Sequence, residues 1–133
     1  MDRHISSYAR NLIQQIKKKH HVDYLLIIRP SYAYGVGGDD LSLLLNGFGV
    51  YSCGVWKWKQ VSITGGSRIH LFNTHDVSQY WHIGAEFHVK VPIEFWKNSF
   101  SGYSKTEVEK IINTTKTEYP RAINMRIRKM MRL

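Results

Sequence analysis

The chain has 133 residues, of which 43% are apolar and 22% charged. That length and balance exclude wholesale disorder and give one domain whose core needs no disulfide or metal staple. The net charge of +9 excludes an acidic protein and points to a polyanionic or acidic partner.

The charge is unevenly placed. Residues 1–29 hold six Lys/Arg against Asp2 and Asp23, a surplus of four. Residues 121–133 hold five Lys/Arg and no acid. The eight basic and eight acidic side chains of residues 30–120 cancel. A neutral body with two basic ends is the pattern expected of a domain that engages nucleic acid or an acidic protein surface. Cys53 is the single cysteine and forms no internal disulfide, which fits a reducing compartment. No signal-peptide pattern and no membrane-length apolar run occur, so a cytoplasmic or other intracellular location with no transmembrane segment is expected.

In chain order, residues 3–20 predict a helix, with Ile5, Tyr8, Ala9, Leu12, Ile13 and Ile16 on one stripe and Asp2 as N-cap. Lys17, Lys18, Lys19 and His20 fall in its last turn, where cations complement the helix dipole. Tyr24–Ile28 reads as a strand covered on both faces and ended by Arg29-Pro30. Residues 31–40 form a Gly-rich loop without the Lys-Ser/Thr of a P-loop. Leu41–Leu45 is apolar and of ambiguous type. Phe48–Ile63 reads as one strand with an irregularity near Gly54. Thr64-Gly65-Gly66-Ser67 carries a hairpin signal leading into Arg68–Phe72. Tyr80–Val91 is the longest strand expected, ended by Pro92.

Ser104-Lys-Thr-Glu107 matches a capping box that opens a second helix. Pro120 is expected to interrupt that helix. Residues 121–133 then form a basic amphipathic tail whose stripe of Ile123, Ile127, Met130 and Met131 suits a helix, although Ile123, Met125 and Ile127 also alternate as in a strand. The fold class is therefore α+β: a single antiparallel sheet of about four to five strands, packed by an N-terminal and a C-terminal helix on one face.

Three groups of residues could carry function. In a strand, His82, Glu86, His88 and Lys90 share one face, and Arg68 and His70 alternate in the preceding arm. A carboxylate, imidazoles and cations on one face are the parts of a metal-independent ribonuclease, although a solvated sheet face alternates in the same way. As a strand, Trp56-Lys57-Trp58-Lys59 would set aromatic rings beside cations, as in grips on single-stranded nucleic acid; the plainer reading buries both tryptophans. Lys17–Lys19 and Arg121, Arg126, Arg128, Lys129 and Arg132 would track phosphates.

No cofactor motif occurs. A shared metal is not expected, because His82 and His88 on one strand lie about 20 Å apart. The leading expectation is a small basic module that binds RNA or single strands. The alternatives are an assembly or inhibitor protein such as a virion component, with a homo-oligomer possible, and the ribonuclease. The leading expectation further requires that the two basic ends converge on one surface.

Overall fold

A computed structural model describes residues 5–31, 41–54 and 56–132 of the chain. The proposed Asp2 cap and nearly all of the Gly-rich loop lie outside these residues. Helix α1 spans Ser7–His20 and is capped by Ser6, whose side chain accepts from the Ala9 amide at 3.2 Å. Its lysines do occupy the last turn, and His21 closes it in a left-handed conformation, donating its amide to the Lys17 carbonyl.

Five strands follow: β1 (Tyr24–Pro30), β2 (Leu41–Leu45), β3 (Phe48–Cys53), β4 (Gln60–Asn73) and β5 (Tyr80–Val91). All pairings are antiparallel within one sheet. β5 lies along one edge of β4, from Val61↔Val91 to Phe72↔Tyr80. The other edge of β4 is shared end to end. β3 pairs with its first half, through Phe48↔Gly65, and β1 with its second, through Pro30↔Ser67. At the joint, the Gly66 amide donates to the Gly47 carbonyl and the Gly66 carbonyl accepts from the Ser31 amide, both at 3.0 Å. β2 extends the sheet beyond β3.

The α+β class and the helix at each end are as expected, but several local readings are corrected. Thr64–Ser67 is no hairpin; it runs straight through the centre of β4. Gly65 is there for close approach, because a Cβ would collide with the rings of Phe48 and Phe87. The reversal occurs earlier. Gly54, at φ +81°, leads into a short 3-10 turn at Trp56–Trp58, which joins β3 to β4. Residues 48–63 are thus two strands and a turn, and Trp56–Lys59 is not a strand. β1 is not covered on both faces; most of it is exposed, at the margin of the sheet.

Helix α2 spans Lys105–Met131 without a break. The Ser104/Glu107 capping box forms in both directions. Pro120 lies inside the helix on its exposed side. The hydrogen bond it forgoes, to the Lys116 carbonyl, is therefore replaceable by water. Ile111, Tyr119, Ala122, Ile123, Ile127 and Met130 face the sheet. They pack on odd-numbered residues of β4 and β5: Val61, Ile63, Ile69, Ala85, Phe87 and their neighbours. Met125 is exposed, which decides the tail for helix over strand. The Tyr119 hydroxyl meets Ser67 Oγ at 2.9 Å, in the middle of the sheet.

The two helices do not share a face. Ile13 of α1 packs with Phe72 and Val77, joined by Leu25 and Tyr80. Phe72, Leu25 and Tyr80 belong to the parity opposite to the residues under α2. α1 therefore covers one corner of the far side, and no other described element covers the rest of it.

Candidate functional site

The open side of the sheet is built by strand periodicity. Its residues are Leu25, Ile27 and Arg29 on β1; Ser62, Thr64, Arg68, His70 and Phe72 on β4; and Tyr80, His82, Gly84, Glu86, His88 and Lys90 on β5. Tyr51 joins them from β3, opposite Ser62. All six residues proposed for the ribonuclease therefore lie on one side of the sheet. They do not form one centre.

The first group is a ring stack beside α1. His70 Nε2 accepts from Arg29 Nε at 3.0 Å, and its Nδ1 lies 2.6 Å from the Tyr80 hydroxyl. An acceptor at Nε2 places the proton of the neutral ring on Nδ1, which donates to Tyr80. The His70 ring stacks on Tyr80 at 5.6 Å between centroids, and Tyr80 stacks on Phe72 at 4.8 Å. His82 lies 6.1 Å from His70. Burial, then the charges of Arg29, His82 and Arg68, hold the His70 pKa below the usual imidazole value. His70 is a neutral positioning element rather than a proton carrier at neutral pH.

The second group lies further along. The Thr64 hydroxyl donates to the Phe87 carbonyl at 2.9 Å and meets His88 Nδ1 at 2.9 Å. Its single proton is spent on the carbonyl, so His88 Nδ1 donates to it. The other ring nitrogen, Nε2, lies 3.8 Å from Glu86 Oε2. Tyr51 flanks the ring at 6.3 Å. Between the groups, Arg68 stands opposite Gly84, whose missing side chain leaves open space. Ser31, Arg68, His82 and Glu86 rim the resulting concavity of about 340 Å³.

Other cations fall at the ends of this side or away from it. Lys17 Nζ lies 2.9 Å from His75 Nδ1, beside Asp23, at the end of the sheet where β4 finishes. Lys17 and Lys18 line a second, separate concavity there with Gln14, His21 and Val22, and Lys19 is exposed. At the opposite end of β4, Trp58 is 74% exposed and Lys57 Nζ lies 6.0 Å from its ring. The burial expected for this tryptophan does not occur, because it sits on a turn and not under a helix. The side chain of Trp56 is not among those described, and Lys59 is half-buried.

Arg121, Arg126, Arg128, Lys129 and Arg132 line an open groove on α2 with Asn124 and Met125. Among the described residues, only Arg121 of the five has an ion pair, with Glu118 at 3.1 Å. Because α1 and α2 pack on opposite faces, the sheet stands between the lysine turn and this arginine array. Among the described residues, the two basic ends thus lie on opposite faces of the sheet, contrary to the expected convergence.

Residues that the sequence reading passed over complete the site: Arg29 and Tyr80 around His70, Thr64 and Tyr51 around His88, and Gly84 at the concavity. Tyr80 had a readable signal, since it alternates in step with His82. Arg29 and Thr64 reach the site only through strand pairing. Among the described residues, no group of three His, Cys, Asp or Glu side chains could hold a metal ion, and no helix is long and apolar enough to cross a membrane. No protein-family model, curated protein or solved structure matches the chain.

Proposed function

We propose that the protein is a single-stranded nucleic-acid-binding module, with RNA the favoured ligand, that lays the strand along the open side of its sheet. One observation carries this reading: among the described residues, the middle of that side presents Arg29, Arg68 and Lys90 against one carboxylate, Glu86, interleaved with the rings of Tyr51, His70, Tyr80, His82 and His88, while Asp23 stands with Lys17 at its end. Rings supply stacking platforms for bases, and flanking cations pair with phosphates. The track runs along β4 from Ser62 to His70, about 27 Å at the rise of a strand, and stops at the corner that α1 covers. Lys17 and Lys18 stand at one end, and Lys57 and Trp58 at the other. Tyr51 and the histidines offer polar atoms for sugar hydroxyls, which favours RNA.

The test is anisotropy with a labelled RNA of about twelve nucleotides, a length within known single-strand site sizes, titrated across a salt series. Replacing Arg68 and Lys90 by Ala should weaken binding and reduce the salt slope by about 1.4, or 0.7 per phosphate contact. Trp58→Ala should weaken binding with little change in slope, as loss of a stacking ring does. Neutralising Arg126, Arg128 and Lys129 on α2 should leave the affinity of the open side largely intact. A flat salt response, or binding abolished only by the α2 variant, would overturn the reading.

The Glu86–His88 pair supports a second reading, RNA cleavage on the same face. One of His88 Nε2 and Glu86 would take the 2′-hydroxyl proton as that oxygen attacks phosphorus, the other would protonate the departing 5′-oxygen, and Arg68 or Lys90 would stabilise charge on the phosphate. Cleavage that persists in EDTA and is lost in Glu86→Gln is the expected sign. Intact RNA after prolonged incubation removes this reading and leaves the binding module in place.

A further inference from the structure

We propose that β1 is a homodimer interface, in which two copies pair their outer edges antiparallel about a two-fold axis at Leu26. Tyr24, Leu26, Ile27 and Ile28 are 56, 40, 39 and 41% exposed. Among the described residues, β1 pairs only with β4, and α2 packs on β3, β4 and β5. Five consecutive apolar residues at a sheet margin form the kind of edge that soluble proteins ordinarily block with charge, proline or a bulge. Here those devices begin only at Arg29 and Pro30.

The backbone fixes which groups point outward. The Ser31 amide donates to Gly66, and the Asp23 carbonyl accepts from Thr74, so odd-numbered residues turn their N–H and C=O towards β4. Tyr24, Leu26 and Ile28 therefore turn theirs outward. Pro30, which lacks a donor, falls just beyond them.

The sequence of this edge is self-complementary. Centred on Leu26, antiparallel pairing sets Leu26 against Leu26 of the second copy, Tyr24 against Ile28, and Leu25 against Ile27. All outward donors and acceptors of Tyr24, Leu26 and Ile28 then find partners. The same register sets Asp23 against Arg29 at both ends, which gives two cross-strand ion pairs. Asp23 contacts His75 through Oδ1, and its side chain is 75% exposed. Arg29 contacts His70 through Nε. The charge complementarity commits the site to a second copy of this chain rather than to an unrelated strand.

The geometry also fixes the shape of the assembly. Paired residues share a face, so both open sides lie on one side of a continuous ten-stranded sheet, and both α2 helices lie on the other.

The experiment is a charge-swap pair followed by sedimentation velocity, from micromolar to near-millimolar protein. Wild type should dimerise. Asp23→Arg alone and Arg29→Asp alone should each weaken dimerisation about tenfold or more, because each sets like charges opposite one another at both ends. Mixing the two variants should restore a heterodimer, since every Asp then faces an Arg. Circular dichroism of each variant checks the fold, and rescue on mixing itself requires folded partners. A wild-type monomer throughout, a dimer unchanged in both variants, or failure of the mixture to recover would overturn the proposal.

Discussion

Gly65 and Gly84 differ by what surrounds a missing side chain, and substituting each by alanine turns that difference into a stability measurement. At Gly65, a Cβ would stand 2.5 Å from Phe87 Cε1 and 2.9 Å from Phe48 Cε1, with Phe48 Cδ1 nearer still. Phe87 is buried in the core, and Phe48 is wedged against Tyr119 at 4.7 Å between centroids. Both rings belong to the apolar cluster packed under α2. Overpacking of this kind costs about 1–3 kcal/mol. At Gly84, no atom lies within 4 Å of the added carbon, and alanine in a strand gains roughly 0.5–1 kcal/mol over glycine. With an unfolding entropy of about 0.28 kcal/mol/K for a chain of this length, Gly65→Ala should lower the melting temperature by about 4–11 °C. Gly84→Ala should raise it by about 2–4 °C on the same scale. Thermal unfolding followed by far-ultraviolet circular dichroism reads both. Equal shifts, or a Gly65→Ala protein as stable as wild type, would refute the assignment of residues 64–67 to the packed centre of β4.

Two further outcomes follow from other parts of the fold. Because the His70 pKa is depressed below the ordinary 6.5, the unfolded chain takes up this proton first as pH falls. The stability contributed by the neutral ring is complete above 6.5 and is lost as pH drops through the lower folded value. Urea midpoints at about pH 7.5 and about pH 5.5 should therefore diverge more in wild type than in His70→Gln; equal divergence would remove His70 as the cause. Pro120→Ala restores a donor to the Lys116 carbonyl on an exposed helix face, so it should stabilise by about 1 kcal/mol or more, out of the roughly 3 kcal/mol by which proline disfavours a helix interior. Destabilisation would instead mean that the two apolar clusters under α2 need the bend that proline imposes.

Much of this fold was legible because its signals are local. The period of two in Tyr80–Val91 and the capping box at Ser104 depend on neighbours within a few residues, and both occur where expected. The shared face of His82, Glu86, His88 and Lys90 follows from the same alternation. What could not be read depended on distant partners. Two adjacent glycines signal a turn locally, but at Gly65 they answer to rings contributed by β3 and β5. An apolar run such as Tyr24–Ile28 looks alike whether it lies inside a sheet or at its margin. The side on which each helix packs was decided by Phe72, Leu25 and Tyr80, which form an apolar corner only once β1, β4 and β5 are paired. Proline ordinarily stops a helix, which sets the tail apart in the sequence, yet the apolar stripe continues in phase on both sides of Pro120.

The end-to-end meeting of β1 and β3 at Gly66 has a mechanical consequence. The two short strands adjoin each other only where both lean on the same long neighbour, so β4 acts as the molecule's keel. Loosening either half strips neighbours from β4 and weakens its grip on the other. Such an arrangement favours a single all-or-none melting event over piecemeal fraying, and it places the slowest-exchanging amides amidships rather than at either tip.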